Sequence, residues 1–274
     1  MGLTAVTMVA EVVGGILTGS LMLLSDAVHM LSHAVSLGIS WLAIWMSGRP
    51  RTPRSHYGFY RFEILASLLN GLGLLLLTGW ILVEAGERLA NPVALRTPEM
   101  IGIAAVGLIV NIATALILAR SGAEDLNTRS ALMHMLGDLF SSVVIVLGGV
   151  LLLFTDWTWI DPVLSLLVGL LVGWWGLGLV RESVSILLER APKGVEPRAV
   201  ERAMREAAPG IHDVHDLHVW EITSGYVCLT AHVVVEDARL SDTELMRRAV
   251  CDVLWRRFHV SHVTLQMEVV TGTT

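Results

Sequence analysis

Two histidines lie four residues apart in one of the most apolar stretches of the chain. His29 and His33 belong to the segment SLMLLSDAVHMLSHAVSLGISWLAIW, and a similar pair, His134 and Asp138, recurs in ALMHMLGDLFSSVVIVLGGVLLLF. Positions i and i+4 of a helix share a face, so each pair directs two ligand-type side chains the same way. Zinc takes four such ligands in a tetrahedron. Two facing helices that each supply one pair therefore predict a four-ligand metal site.

The cost of burial favours this interpretation. A charged residue at the centre of a membrane helix costs roughly 2.5–3.5 kcal/mol, and such residues mark ion paths or proton relays. Histidines satisfied by neighbouring hydroxyl or carbonyl groups are the alternative, but two pairs in separate segments make it less favourable. A zinc protease is excluded, because the HExxH motif needs a glutamate where the chain has Met30.

Other polar residues lie in the same apolar segments. Asp26 precedes His29 by three residues, and it either orients an imidazole as a hydrogen-bond acceptor or faces water near the extracellular mouth. Glu11, Asn70 and Asn111 are predicted to connect helices or to line a cavity rather than to bind metal.

Composition separates a membrane part from a soluble part. The chain has 274 residues, of which 54% are hydrophobic and only 16% charged, against about 25% charged residues in soluble domains. Residues 1–185 hold nearly all the long apolar runs, whereas 190–274 are ordinary in charge. A membrane helix needs roughly 20 mostly apolar residues. Six segments meet this requirement, at 3–22, 25–47, 62–86, 99–119, 130–154 and 159–181.

Basic residues in the short loops predict the orientation. The loops after the second and fourth spans carry six arginines, and those on the opposite side carry only Arg88 and Arg96. The positive-inside rule therefore places the N- and C-termini in the cytoplasm. All but one of the 19 basic residues are arginine, which indicates a GC-rich bacterial genome and hence the bacterial inner (plasma) membrane.

The soluble part reads as a small α+β domain. A helix is predicted over PRAVERAMREAAPG, a hairpin over VHDLHVWEI and YVCLTAHVVVE, a second helix from a capping box at Ser241 and Glu244, and a last strand in HVTLQMEVV. This α-β-β-α-β order suits an open sheet with helices on one face. The domain has no basic excess, so nucleic acid is not an expected partner. Cys228 and Cys251 are expected to be reduced thiols.

Six of the ten histidines fall in this domain, at positions 212, 215, 218, 232, 259 and 262. His215 and His232 are predicted to point to the same side of the sheet, and Glu268 lies on the last strand. Any single one of these histidines could instead be an ordinary exposed polar residue without a role in metal binding. As a group they favour metal binding without identifying the ligands.

Several motifs in order along the chain resemble the cation diffusion facilitator family, in its zinc-transporter branch. They are SLMLLSDAVHMLSHAVSL, YGFYRFEILASLLNG, HMLGDLFSSV, WIDPVLSLLVGL, HDLHVWEITSGYVCLTAHVVV and HVTLQMEVV. The resemblance implies an all-α six-helix transmembrane domain followed by a cytoplasmic ferredoxin-like domain with αββαβ order. It also implies a homodimeric antiporter in the lipid bilayer, exchanging a divalent metal for protons.

The transport site of that family maps onto His29, His33, His134 and Asp138. The zinc branch normally has HxxxD on both helices, and here His33 stands in place of the first aspartate. With neutral imidazoles, Asp138 alone leaves the site loaded with a divalent ion at +1. We expect weaker metal binding unless Asp26 or Glu11 lies near enough to compensate the charge. We also expect a shifted pH dependence, because imidazoles with an ordinary pKa near 6.5 bind protons near neutrality in competition with the metal.

The resemblance also assigns residues on the cytoplasmic side. A regulatory zinc site maps onto His215, His232 and Glu268, with His218 and His262 as weaker candidates. Arg61 at the start of the third span matches a basic residue that in relatives pairs with an acidic residue after the sixth span. That residue is Glu189 here, and the pair is predicted to act as a hinge; an ordinary positive-inside arginine is the alternative.

These observations lead to one main hypothesis and two alternatives. The main hypothesis is a zinc/proton antiporter that exports zinc by alternating access and is not an enzyme. A membrane-anchored metal sensor without net transport is the first alternative. The second keeps transport but changes the cargo to cobalt, nickel, iron or cadmium, since imidazole suits several of these metals.

Overall fold

The computed structural model describes residues 2–47, 56–120, 126–155 and 157–270. Within its helices, the side chains of residues 2–5, 37, 40, 43, 44, 47, 118–120 and 126–137 lie outside that description. The chain forms two compact units. The first comprises residues 1–41 and 67–180, and the second comprises residues 42–66 and 181–274.

In the described part of the chain, six long helices precede the small sheet domain. Their bounds are α1 Gly2–Thr18, α2 Leu21–Ser47, α3 Arg61–Ala90, α4 Thr97–Arg120, α5 Leu126–Thr155 and α6 Ile160–Leu187. Among the described residues, four stretches are long and apolar enough to cross a bilayer: Arg61–Ala90, Thr97–Ile117, Asp138–Thr155 and Ile160–Leu187. The described apolar part of α1, Val6–Thr18, is shorter. The predicted helical membrane domain is confirmed.

A buried carboxylate fixes the beginning of α2. The chain reverses at Gly19, whose φ of 76° lies in the left-handed region that glycine adopts without strain. Asp161 of α6 accepts hydrogen bonds from the Ser20 hydroxyl at 2.6 Å and from the main-chain N–H groups of Leu21 at 2.9 Å and Met22 at 3.2 Å. These amides are the donors that a helix N-terminus leaves unsatisfied. The carboxylate therefore joins α6 to the residues where α2 starts.

The second unit contains the predicted αββαβ order. Its elements are α7 Pro197–Arg205, β1 Ile211–Glu221, β2 Val227–Val235, α8 Leu240–Phe258 and β3 Val260–Val269. The β1–β2 pair is an antiparallel hairpin, and β3 returns through α8 to lie parallel to β2, which makes β2 the central strand. The predicted hairpin and domain class are confirmed.

The core of this domain forms between the sheet and its two helices. Buried apolar side chains of both helices and of the sheet belong to one cluster that includes Val200, Met204, Val214, Val219, Leu229, Val233, Val250, Leu254 and Val260. Burial alternates along much of β2, as expected for a strand with one face in the core. The opposite face is thus available for polar side chains.

The predicted capping box at the start of α8 is wrong. The helix begins at Leu240, and its N-cap residue, Arg239, makes no capping hydrogen bond through its side chain. Ser241 is already inside the first turn, where its hydroxyl lies 3.4 Å from Asp242 Oδ1. Glu244 is instead bound by Arg247 and Arg248.

Candidate metal centres

The i, i+4 pair of α2 meets the aspartate of α5 inside the membrane unit. His29 Nε2 lies 3.0 Å from Asp138 Oδ1, and His33 Nε2 lies 3.1 Å from His29 Nε2. One donor atom from each of the three residues falls within 4.8 Å of the others. Tetrahedral zinc with bonds of about 2.0 Å separates its ligand atoms by roughly 3.3 Å. The three side chains therefore have the spacing that a metal ion requires.

Burial makes this cluster chemically unusual. His29 is 4% exposed and Asp138 is 6% exposed. The fourth predicted ligand, His134, lies in the part of α5 whose side chains are outside the description. The structure thus brings together three of the four predicted ligands.

Asp26 is linked to this cluster through a hydroxyl. Ser141 Oγ lies 2.9 Å from Asp26 Oδ1 and 2.9 Å from the main-chain oxygen of Asp138, so the hydroxyl donates to one of them at a time. Asp26 is 3% exposed and does not face water in this structure. Asp26 therefore contacts the turn of α5 that follows Asp138.

A cavity of about 260 Å³ borders His33. It is lined by Ser32, His33, Ser36, Asn70, Leu74, Trp175 and Leu179. Asn70 also donates a hydrogen bond to Ser36 Oγ at 3.0 Å, so it both lines the cavity and connects α3 to α2. The Trp175 ring lies 5.1 Å from the His29 ring, a contact that the local sequence pattern does not reveal.

The second cluster lies on the sheet of the αββαβ domain. His215 and His232 are direct partners in the β1–β2 register. His232 Nδ1 lies 2.9 Å from Glu268 Oε1, and His215 Nε2 lies 3.4 Å from Glu268 Oε2. All three offer a donor atom within 4.8 Å of the others, and all three are partly exposed. The structure therefore brings together the predicted cytoplasmic set.

Two aspartates next to this cluster were missed by the sequence reasoning. Asp213 Oδ2 lies 3.8 Å from His215 Nδ1, and Asp216 Oδ2 lies 3.7 Å from His232 Nε2. Asp216 has a φ of 49° and falls where the β1–β2 register shifts. The repeated His-Asp pairs of IHDVHDLH were the available signal.

The two weaker histidine candidates lie outside the three-residue cluster. His218 Nε2 is 3.0 Å from Asp216 Oδ1, and it lines a cavity of about 870 Å³. The His262 ring packs at 5.8 Å against that of Tyr57. Neither is placed among the donor atoms of His215, His232 and Glu268.

The predicted hinge pair is close in space. Arg61 Nη2 lies 2.5 Å from Glu189 Oε1, and the two side chains are 43% and 56% exposed. Exposed ion pairs contribute only about 0–1 kcal/mol, so this contact adds little to the stability of the fold. Nearby, Thr223 donates to Glu63 Oε2 at 2.7 Å.

The two cysteines are free thiols in the αββαβ domain, as the sequence predicts. Burial raises the pKa of the Cys228 thiol, with Arg61 opposing the shift, and burial likewise raises the pKa of Cys251. A raised pKa lowers the thiolate fraction at a given pH, and the thiolate is the nucleophile.

We therefore expect slow alkylation of both thiols at neutral pH. Iodoacetamide labelling of the folded protein, followed by mass spectrometry, should be at least about tenfold slower for Cys228 than in the urea-unfolded chain. The more accessible Cys251 should be the faster of the two. Labelling of Cys228 at the unfolded rate would contradict its burial.

The fold and its clusters define a class of protein. It is a multi-pass helical membrane protein with an appended αββαβ domain, and each part carries a buried or half-buried cluster of histidine and carboxylate donors. The profile described as Cation efflux transmembrane domain matches residues 1–188, and that described as Cation efflux protein, cytoplasmic domain, matches residues 192–270. The chain belongs to the cation efflux family.

Curated relatives cover nearly the whole chain. The Cadmium, cobalt and zinc/H(+)-K(+) antiporter of Bacillus subtilis is 38% identical over 264 residues, which are 95% of this chain and 84% of the relative. The Metal cation efflux system protein CzcD of Cupriavidus metallidurans is 38% identical over 98% of this chain and 84% of its own length. The Zinc transporter ZitB of Escherichia coli is 38% identical over 97% and 85%. The predicted family is confirmed, and the protein is a transporter, not an enzyme.

Proposed function

We propose that this protein exports zinc from the cytoplasm of a bacterium in exchange for protons, by alternating access. The observation that carries the proposal is the cluster of buried His29, half-buried His33 and buried Asp138, which has the donor types and spacing of a zinc site. His134, one turn before Asp138 on α5, would supply the fourth ligand. Metal is the cargo here, so the site must both bind it and release it.

Proton exchange follows from the donor chemistry. Metal binds to deprotonated ligands, so protonation of the imidazoles and of Asp138 displaces it. Protons that arrive from outside would therefore release the metal there, and the emptied site would return inward. A sensor without transport would leave a metal cluster inside the membrane with no task.

The cargo assignment rests on relatives and on ligand type. Two of the relatives are named for their metals: the Bacillus subtilis antiporter for cadmium, cobalt and zinc, and ZitB for zinc. A site of imidazoles and one carboxylate suits zinc and also accepts cobalt, nickel or iron. Zinc is proposed as the main cargo, with cadmium and cobalt next.

The remaining assignments concern placement and assembly. The arginine-rich loops favour an orientation with both termini in the cytoplasm. We propose that residues 1–185 lie in the inner membrane and that residues 190–274 lie on its cytoplasmic side. The chain is proposed to act as a homodimer, for which the second profile's name, ZT_dimer, gives support. The Arg61–Glu189 pair would act as the hinge between the two parts.

Reconstitution tests the exchange directly. The full chain is reconstituted in proteoliposomes that contain a pH-sensitive dye, and a zinc gradient is imposed. The interior should become more alkaline when zinc enters and more acidic when zinc leaves. Metal analysis of the purified protein should find zinc. Zinc movement without any proton movement would contradict the antiport, and absence of zinc movement would contradict the transport.

A separate prediction concerns the cluster on the sheet. We expect His232→Ala to weaken zinc binding at this cluster by at least about 100-fold, because loss of a supporting contact alone costs about 10–100-fold. Competition with a chelating dye on the full chain in detergent measures it. The matched control is His212→Ala, a histidine of the neighbouring strand β1 that pairs with Glu236 at 3.2 Å. Equal affinity of the two variants would overturn the assignment.

A further inference from the structure

A row of buried polar side chains lies beside the intramembrane cluster and has no part in the transport step described above. Glu11 of α1, Asp26 of α2, Asn111 of α4 and Ser142 of α5 are each 3% exposed or less. Asn111 Nδ2 donates to Ser142 Oγ at 2.9 Å, which joins α4 to α5. The adjacent Ser141 joins α5 to Asp26. Polar groups on four helices are thus buried in one apolar unit, and burial of this kind marks function.

The carboxyl group of Glu11 packs against α4 at a glycine. Its Oε1 would lie 2.6 Å from a Cβ at Gly107 of α4, so the glycine leaves open the space that the carboxyl group occupies. Gly107 precedes Asn111 by one helical turn, which puts the carboxyl at the edge of the polar row. The space beside Gly107, or the notch, therefore holds an ionisable group next to the row of polar side chains.

The other carboxyl oxygen of Glu11 has no hydrogen-bond partner among the described residues. An ionised carboxylate that is buried without a partner is strongly unfavourable, and such a group becomes neutral unless a cation faces it. Glu11 is therefore stable as the protonated acid in the metal-free arrangement. Its orphan oxygen can hold that proton.

Two other buried carboxylates bear on when that proton would leave. The charges of Asp26 on α2 and Asp138 on α5 both act on Glu11, and Asp26 in turn interacts with His29. The described residues of α4 that face Glu11 and continue its row, Gly107 and Asn111, carry no charge. A divalent ion at His29 and Asp138 offsets this negative field and favours ionised Glu11. Loss of the ion restores the repulsion and favours proton uptake.

The row is also on the side of the cluster where protons are needed. Asp26 precedes His29 along α2, whereas Ser141 and Ser142 follow Asp138 along α5. Both sets therefore lie toward the α1–α2 turn at Gly19. In the proposed orientation this end faces the outside, from which protons return.

We infer that Glu11 is a proton-carrying residue of the transport cycle, linked to the metal cluster by the buried row of Asp26, Ser141, Ser142 and Asn111. One proton binds to the Glu11 carboxylate as metal leaves the cluster, and the same proton is released as metal binds. No other bond changes. The inference rests on the proposed zinc/proton exchange and assigns to that exchange a proton site that is not a metal ligand.

Glu11→Gln separates proton coupling from metal handling. The amide has the shape of the protonated acid but cannot release or take up a proton in the working pH range. In proteoliposomes, zinc-for-zinc exchange without a pH gradient should stay within about twofold of wild type, whereas zinc transport driven by a pH gradient should fall by at least about tenfold. The pH profile of transport should also flatten. Glu11→Asp, which keeps the ionisable group, should retain coupling.

The matched control is Glu84→Gln. It makes the same chemical change in the same unit, at a carboxylate that is partly exposed and pairs with Arg88 at 2.8 Å. This variant should keep both zinc exchange and coupling. All assays are run in potassium-free buffer and repeated with potassium, because one relative is named for H(+)-K(+) exchange.

Three results would overturn the inference. They are wild-type coupling in Glu11→Gln, loss of zinc-for-zinc exchange together with coupling, and a coupling defect that appears only when potassium is present. The last result would assign the carboxylate to a potassium ion. Failure of the wild-type chain to couple zinc to protons would instead contradict the proposed function, so the two failures are distinguishable.

Discussion

Replacing Asp138 by asparagine should reduce zinc transport by at least about 100-fold, a loss on the order of 3 kcal/mol in metal binding. Asp138 is the one carboxylate of the predicted tetrad, and its Oδ1 lies 3.0 Å from His29 Nε2. The amide preserves size but removes the charge, which leaves a divalent ion among neutral ligands in a buried site. Zinc flux into proteoliposomes under a fixed pH gradient measures the loss.

The control for this substitution keeps the charge and changes the length. Asp138→Glu should retain measurable transport, because a carboxylate still faces His29 and the metal can shift within the cluster. Thermal unfolding of both variants in detergent checks that the helices still pack. Transport by Asp138→Asn within about twofold of wild type would contradict the site, since the divalent ion would then not depend on its anionic ligand.

Much of the metal cluster could be predicted because it depends on local geometry. The spacing of His29 and His33 makes them share a helix face whatever the tertiary packing is. Their meeting with Asp138 needed one further assumption, that polar faces of apolar helices turn toward each other, and burial costs enforce it. The same logic placed His215 opposite His232 in a hairpin register.

The features that could not be predicted depend on how the helices rotate against one another and on irregularities within the strands. The contact of Trp175 with His29 and the notch at Gly107 arise from helix packing, which no local pattern encodes. Asp216 reaches His232 only because β1 changes register between His215 and His218. The predicted capping box at Ser241 and Glu244 was wrong for a related reason. Helix ends are set by small differences among neighbouring residues, and α8 begins at Leu240.

Replacing His33 by aspartate should strengthen zinc binding by at least about tenfold. The loaded cluster would change from +1 to neutral with two carboxylates. Attraction between unit charges about 4 Å apart is roughly 4 kcal/mol at an effective dielectric of 20, and the cost of burying the new carboxylate offsets part of it. The variant also has one imidazole fewer, so nickel and cobalt should compete less well against zinc.

The pH dependence should change in a definite direction. A free imidazole takes up a proton near about pH 6.5 and a free carboxylate near about pH 4, and a metal binds only the deprotonated form of either ligand. With one imidazole exchanged for a carboxylate, the midpoint of zinc binding should move to lower pH. Zinc titrations in detergent at a series of pH values, with nickel and cobalt as competitors, measure both effects.

His33→Asn is the control that isolates charge, because asparagine matches aspartate in size and shape. It should bind zinc more weakly than either His33→Asp or the wild-type chain, since it offers a poor ligand without compensating charge. Equal zinc affinities of the aspartate and asparagine variants would mean that charge at this position does not set binding. His33 would then act through its contact with His29 and the cavity it borders, and the metal preference would be decided by the shape of the site.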